Sequence, residues 1–142
     1  MERSSGAAPP RQSGGRSEPE SVNGRLLSVR IESLGAETSV VSLAGELDLS
    51  AVPRIEGALF EQVRARSGVI VDLTRVSFID STGIGLLIKA FRAVDGGGAL
   101  HTVVAPGSQI DRVFRLAGVD RMLPLFAERT GALDALNGAA RD

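Results

Sequence analysis

Residues Phe78–Gly85 read FIDSTGIG, and they follow the apolar run VIVDLTRVS at residues 69–77. The first part, VIVDL, is a short run, apolar but for Asp72, as expected for a strand covered on both faces. A short irregular connection follows. The next part, STGIGLLIKAFRAVDGGG at residues 81–98, places Ile84, Leu87, Ile88 and Phe91 at helical spacing and ends in three glycines. A buried strand running into an amphipathic helix is one half of a strand–helix–strand unit, the building block of an α/β sheet.

The same alternation extends in both directions. Upstream, LLSVRIE (residues 26–32) partly alternates and reads as a strand, LGAE (34–37) as a turn, and the β-branched TSVVSLAG (38–45) as a second, antiparallel strand. SAVPRIEGALFEQVRARSG (50–68) has a candidate N-cap in Ser50, Pro53 in the first turn, and Val52, Ile55, Leu59 and Val63 on one face. Gly68 is its stop signal. Downstream, ALHTVVA (99–105) reads as a strand, and PGSQIDRVFRLAGV (106–119) as a helix with Ile110, Val113, Phe114 and Ala117 inward. RMLPLF (121–126) can only be an edge strand, because Pro124 cannot donate to a ladder, and TGALDALNG (130–138) is a last helix. The order predicts an α/β fold: a central mixed sheet of about four to five strands with about four helices, the first hairpin antiparallel and the rest mostly parallel.

Two regions follow from composition. Residues 1–23 are rich in Ser, Gly, Pro and Arg with a single Val, too apolar-poor to offset the entropy of ordering, and are expected to be a disordered tail. Residues 24–142 form the folded domain. Of all 142 residues, 43% are hydrophobic and 4% aromatic, and the net charge is -1. That balance gives no general attraction to nucleic acid or anionic lipid, and no aromatic platform for stacking bases. There is no cysteine, which excludes disulfides and thiolate chemistry. No apolar run reaches the length of a membrane span, and the N-terminus lacks a signal core, so the expectation is a cytoplasmic protein, monomeric in isolation.

Chemistry concentrates at the end of the third strand. Strand ends and helix N-termini are where α/β sheets present ligands with free N–H groups. Asp80 or Ser81 could simply cap the helix, which would stabilise it by about 1 kcal/mol. Yet Asp80, Ser81 and Thr82 offer more than a cap needs, and Gly83 and Gly85 cost a helix about 1 kcal/mol each relative to alanine. They suggest a close approach to the backbone. The run AGELDLS brings Gly45, Glu46 and Asp48 to the end of the second strand, where they would stand near Ser81. A serine nucleophile would need a base, and the one histidine, His101, lies within a predicted strand. The G-x-S-x-G elbow is absent, G-x-G-x-x-G fails at Ile88, and no phosphate-binding loop is present. Scattered acids such as Asp72 read as surface rather than as a metal site. No cofactor or metal is called for.

LAGELDLS, VIVDLTRVSFIDSTGIGLLIKAFR and GVDRML together resemble the STAS-domain family, specifically the bacterial anti-sigma-factor antagonists, over roughly residues 26–137. The combination of D-S-T-G-x-G with an upstream G-E-L-D carries the specificity; either alone is weak. The resemblance implies a non-enzymatic partner switch. The unphosphorylated protein would bind an anti-sigma factor with serine kinase activity and so free a sigma factor. Phosphorylation of Ser81, the hydroxyl directly after Asp80, would release it, and a phosphatase would reset it. Asp80, Thr82, Gly83, Gly85, Gly45, Glu46 and Asp48 match the family's switch surface. The alternative within the family is a subunit of a lipid-transport or sensor complex with no phospho-switch.

Overall fold

The computed structural model of the protein describes residues 16–17, 20–22, 25–94 and 98–141. Its strands are β1 (Arg16–Ser17), β2 (Glu20–Val22), β3 (Arg25–Leu34), β4 (Thr38–Leu47), β5 (Gly68–Ile79), β6 (Ala99–Val103) and β7 (Leu125–Phe126). Its α-helices are α1 (Val52–Ala65), α2 (Ser81–Arg92), α3 (Gln109–Leu116) and α4 (Arg129–Arg141), and a 3-10 turn spans Val119–Arg121. β3 to β7 form the expected mixed sheet in chain order. The β3–β4 hairpin is antiparallel, and β4–β5, β5–β6 and β6–β7 are parallel.

The tail adds a feature that composition does not suggest. Most of residues 1–23 lies outside the described residues, but within that segment β1 and β2 pair antiparallel with β3. The physical reason is the open edge of β3, whose unpaired N–H and C=O groups accept any extended backbone whatever its side chains.

Alternation along β3 sorts the two faces of the sheet. Leu27, Val29 and Ile31 join the main core, which is completed by Val41 and Leu43 of β4, Val69, Val71 and Leu73 of β5, and the apolar stripes of α1, α2 and α3. A smaller cluster, Val40, Ile70, Val103, Ala132 and Leu136, seats α4 on the opposite face. Because α4 covers only part of that face, Ser28, Arg30 and Ser42 stay on its open portion.

Four expectations need correction. β5 does not end at Leu73 in an irregular connection; it continues to Ile79, paired with β4 through two register irregularities. These bulges break the two-residue alternation, which is why TRVSFI does not read as strand. Ser50 does not cap α1: Asp48 Oδ1 accepts the N–H groups of Ser50 and Ala51 at 3.1 and 3.2 Å and the Ser50 hydroxyl at 2.8 Å. The N-cap is Ala51, with no side-chain cap, and the Asp48 carboxylate ties the turn before the helix and takes the Ser50 hydroxyl with it. The fully buried face of α2 is Gly83, Leu86, Leu87 and Ala90, while Ile84, Ile88 and Phe91 flank it half-buried. Ala117 is exposed rather than inward, because α3 ends at Leu116 and the chain turns at Gly118, whose φ of 77° is left-handed. The triple-glycine exit from α2 lies, at Gly96 and Gly97, outside the described residues.

Candidate functional site

The site is assembled where β4 and β5 end side by side. Glu46 pairs with Phe78 and Leu47 with Ile79, and the Asp80 N–H donates to the Leu47 carbonyl at 3.3 Å. Gly45 sits at the second register irregularity with φ of 111°, a conformation that side chains rarely adopt, so this bend needs glycine.

Asp80 ties the two strand ends and the helix together. Its Oδ1 accepts the N–H groups of Thr82 (3.0 Å) and Gly83 (3.1 Å) and the Thr82 hydroxyl (2.5 Å). Its Oδ2 accepts the Leu49 N–H at 3.1 Å, so one carboxylate caps α2 and clamps the loop after β4. Burial alone would raise its pKa, but the Thr82 hydroxyl and the N–H groups of Gly83, Leu49 and Thr82 outweigh it and hold the carboxyl below 3.8. A depressed carboxylate pKa gives stability that is fully present above the unfolded value and is lost as pH falls through the folded one. Asp80→Ala is therefore expected to lower stability by about 1 kcal/mol at neutral pH. The loss should shrink as the pH drops below 3.8, which urea denaturation at pH 7 and pH 3 would measure. A loss that stayed constant with pH would contradict the cap.

The two hydroxyls beside Asp80 are unequal. Thr82 is committed to the cap. Ser81 is exposed, the first residue of α2, and its hydroxyl makes no hydrogen bond among the described residues. A free serine hydroxyl at a helix start, where N–H groups and the dipole favour negative charge, can accept a phosphoryl group without any rearrangement.

The glycines also divide. Gly83 is buried under Leu47, and a Cβ there would lie 2.5 Å from the Leu47 carbonyl oxygen. Its reason is close packing of helix on strand end, not an open surface. Gly85 is exposed, and a Cβ would meet nothing within 4 Å. Asp48, expected as an acid facing Ser81, is 4% exposed and shapes the turn into α1. Glu46 is half-buried at the end of β4.

Two residues that the pattern reading passed over complete the surface. Leu49, whose N–H Asp80 holds, is 68% exposed, and Phe78, paired with Glu46 at the strand ends, is 38% exposed. Their signal in the sequence was weak: Leu49 follows Asp48, Phe78 lies two residues before Asp80, and neither run reads as a regular element. His101 lies elsewhere, buried on β6 with Nδ1 3.1 Å from the Ala132 carbonyl, against α4.

No helix among the described residues is long and apolar enough to cross a membrane. Comparison with known proteins agrees with the fold. The chain is 31% identical over 105 residues to the anti-sigma-F factor antagonist RsfB of Mycobacterium tuberculosis, covering 73% of this chain and 85% of that one. Among solved structures it is similar to an anti-sigma factor antagonist from Mycobacterium paratuberculosis, with a TM-score of 0.72 and 26% identity over 78% of this chain and 94% of the other. It is also similar to the Bacillus cell fate determinant SpoIIAA in its phosphorylated form, with a TM-score of 0.56 and 28% identity over 75% of this chain and 97% of that one. The profile of the STAS domain matches residues 30–132, and the chain belongs to the STAS-domain family.

Proposed function

We propose that the protein is an anti-sigma-factor antagonist that works by partner switching. Unphosphorylated, the surface around Ser81 binds an anti-sigma factor that is itself a serine kinase, and the sigma factor is freed. Phosphorylation of Ser81 releases the complex, and a phosphatase restores it. The observation that carries this reading is the contrast between the free, exposed Ser81 hydroxyl and the committed Thr82 hydroxyl one residue on. Leu49 and Phe78 supply the apolar contact, and Glu46 lies at the same strand ends. The relatives named above support the antagonist role, and one of them has been solved in a phosphorylated form.

The direct test is intact-mass spectrometry after incubation with ATP and each candidate anti-sigma kinase from the same cell. One phosphate is expected on the wild type and on Thr82→Ala, and none on Ser81→Ala. Phosphate retained by folded Ser81→Ala, or no phosphate from any candidate kinase, would overturn the assignment.

A further inference from the structure

The open part of the sheet face beside α4 carries a second polar site, unrelated to Ser81. Register builds it. Ser28 pairs with Ala44, and Ala44 with Arg75, forming one row across β3, β4 and β5. Arg30 pairs with Ser42, and Ser42 with Asp72, forming the next. Arg129, in the first turn of α4, closes the end. Together these residues line a depression of about 130 Å³.

Three guanidinium groups meet here, and they are not equivalent. Arg129 is locked: Nε donates to Asp72 Oδ2 at 2.6 Å, Nη1 to Glu32 at 3.1 Å and Nη2 to Ser42 Oγ at 2.7 Å. Asp72 is equally occupied, because its Oδ1 accepts the Thr74 N–H at 2.9 Å and the Thr74 hydroxyl at 2.7 Å. The two carboxylates, Asp72 and Glu32, are thus spent on Arg129. The side chains of Arg30 and Arg75 are exposed and make no ion pair or hydrogen bond among the described residues. Ser42 Oγ already accepts from Arg129, which leaves its own proton to donate outward. Among the described residues, donors therefore exceed acceptors around this hollow, and the charge is positive by one.

Size narrows the occupant. Pockets for drug-sized molecules run from about 300 Å³ upward, and this one is well below that. Arginine forks and hydroxyls match the oxygens of a tetrahedral anion. We propose that the depression binds a small dianionic oxyanion: inorganic phosphate or sulfate, or the phosphate of a small monoester whose organic part stays in solvent. The proposal does not depend on the partner-switch reading, since it uses none of the residues around Ser81.

Backbone amide NMR of the full chain, titrated at low ionic strength with sodium phosphate and sodium sulfate, would test it. Sodium chloride at matched ionic strength is the control. Saturable shifts are expected at Ser28, Arg30, Ser42 and Thr74, and chloride should not reproduce them. Arg30→Ser and Arg75→Ser should each weaken binding by roughly tenfold. Both side chains are exposed and unpaired, so the variants should unfold where the wild type does, which a thermal melt checks. Glycerol 1-phosphate separates the sources: equal affinity points to the free ion, and affinity at least tenfold tighter to a phosphorylated metabolite. Shifts centred on Ser81–Ile84 instead, shifts that do not saturate, or binding unchanged in the Arg30→Ser/Arg75→Ser double variant would overturn the proposal.

Discussion

A single phosphate on Ser81 is expected to weaken binding of the anti-sigma partner by more than about 100-fold, while the free protein keeps its fold. Two electrostatic terms oppose each other, and their sizes decide the outcome. In the free domain the phosphate carries about -1.5 to -2 charge at the start of α2. The helix N-terminus favours it by about 0.3–1 kcal/mol, with water on its outer side. The neighbouring Asp80 carboxylate, whose pKa is held down by the cap, repels it and offsets part of that gain. The net change in the unfolding temperature should be only a few degrees. In the complex the same dianion would be pressed against a partner beside Leu49 and Phe78, where water is excluded. An uncompensated charge buried in such a contact costs several kcal/mol, and about 3 kcal/mol already exceeds a 100-fold loss. The interface term wins. Calorimetric titration of the phosphorylated and plain forms against the purified kinase, with a thermal melt of each, would measure both halves. Equal affinity of the two forms would sink the switch. A large fall in melting temperature on phosphorylation would mean that the modification acts on the fold.

Gly83→Ala and Gly85→Ala, two residues apart on one helix, are expected to change stability in opposite directions. Helix propensity favours both substitutions by about 1 kcal/mol. At Gly85 nothing lies within 4 Å of a new Cβ, so the gain should appear almost undiminished. At Gly83 the Cβ would lie 2.5 Å from the Leu47 carbonyl oxygen, 2.8 Å from Ile79 Cγ1 and 3.0 Å from Leu47 Cγ. The nearest of these is backbone and cannot swing aside. It also accepts the Asp80 N–H, so moving it would disturb the join of β4 to β5 that carries the site. Overpacking of this kind costs typically 1–3 kcal/mol and can cost more. A net loss of about 2 kcal/mol is therefore expected for Gly83→Ala, and a larger one for Gly83→Val. Urea denaturation gives both signs directly. A Gly83→Ala protein as stable as the wild type would mean that α2 can slide outward, and the close-packing account would fail.

Much of the fold was readable without coordinates because burial imposes periodicity. Val69–Leu73 is apolar at every position but Asp72 because both faces of β5 are covered, and Ile55, Leu59 and Val63 recur because one face of α1 is. Reading failed where periodicity was broken or where a local role had two candidates. The bulges in β5 scrambled the alternation of TRVSFI. Ser50 looks like a cap, and only the turn geometry ties its hydroxyl and N–H to Asp48 and leaves Ala51 at the N-cap position. Pairing of residues 16–17 and 20–22 depends on an available edge, not on their own composition.

The sequence by itself determined the α/β order of elements, the parallel sheet behind an antiparallel hairpin, and the acid–hydroxyl–glycine run at the start of α2. Those are local facts, written in spacing and residue type. Tertiary structure alone decided which hydroxyl is free and which is bound, and that Gly83 serves packing while Gly85 lies open. It also decided that Arg30, Arg75 and Arg129 meet on one sheet face. The hydroxyl contrast comes from the local Asp80 cap, whereas the Gly83 contact and the arginine cluster depend on strand register and on 2–3 Å separations between elements far apart in the chain. A one-residue slip in β4 against β5 would disrupt both of these, and no pattern within a single segment can carry that information.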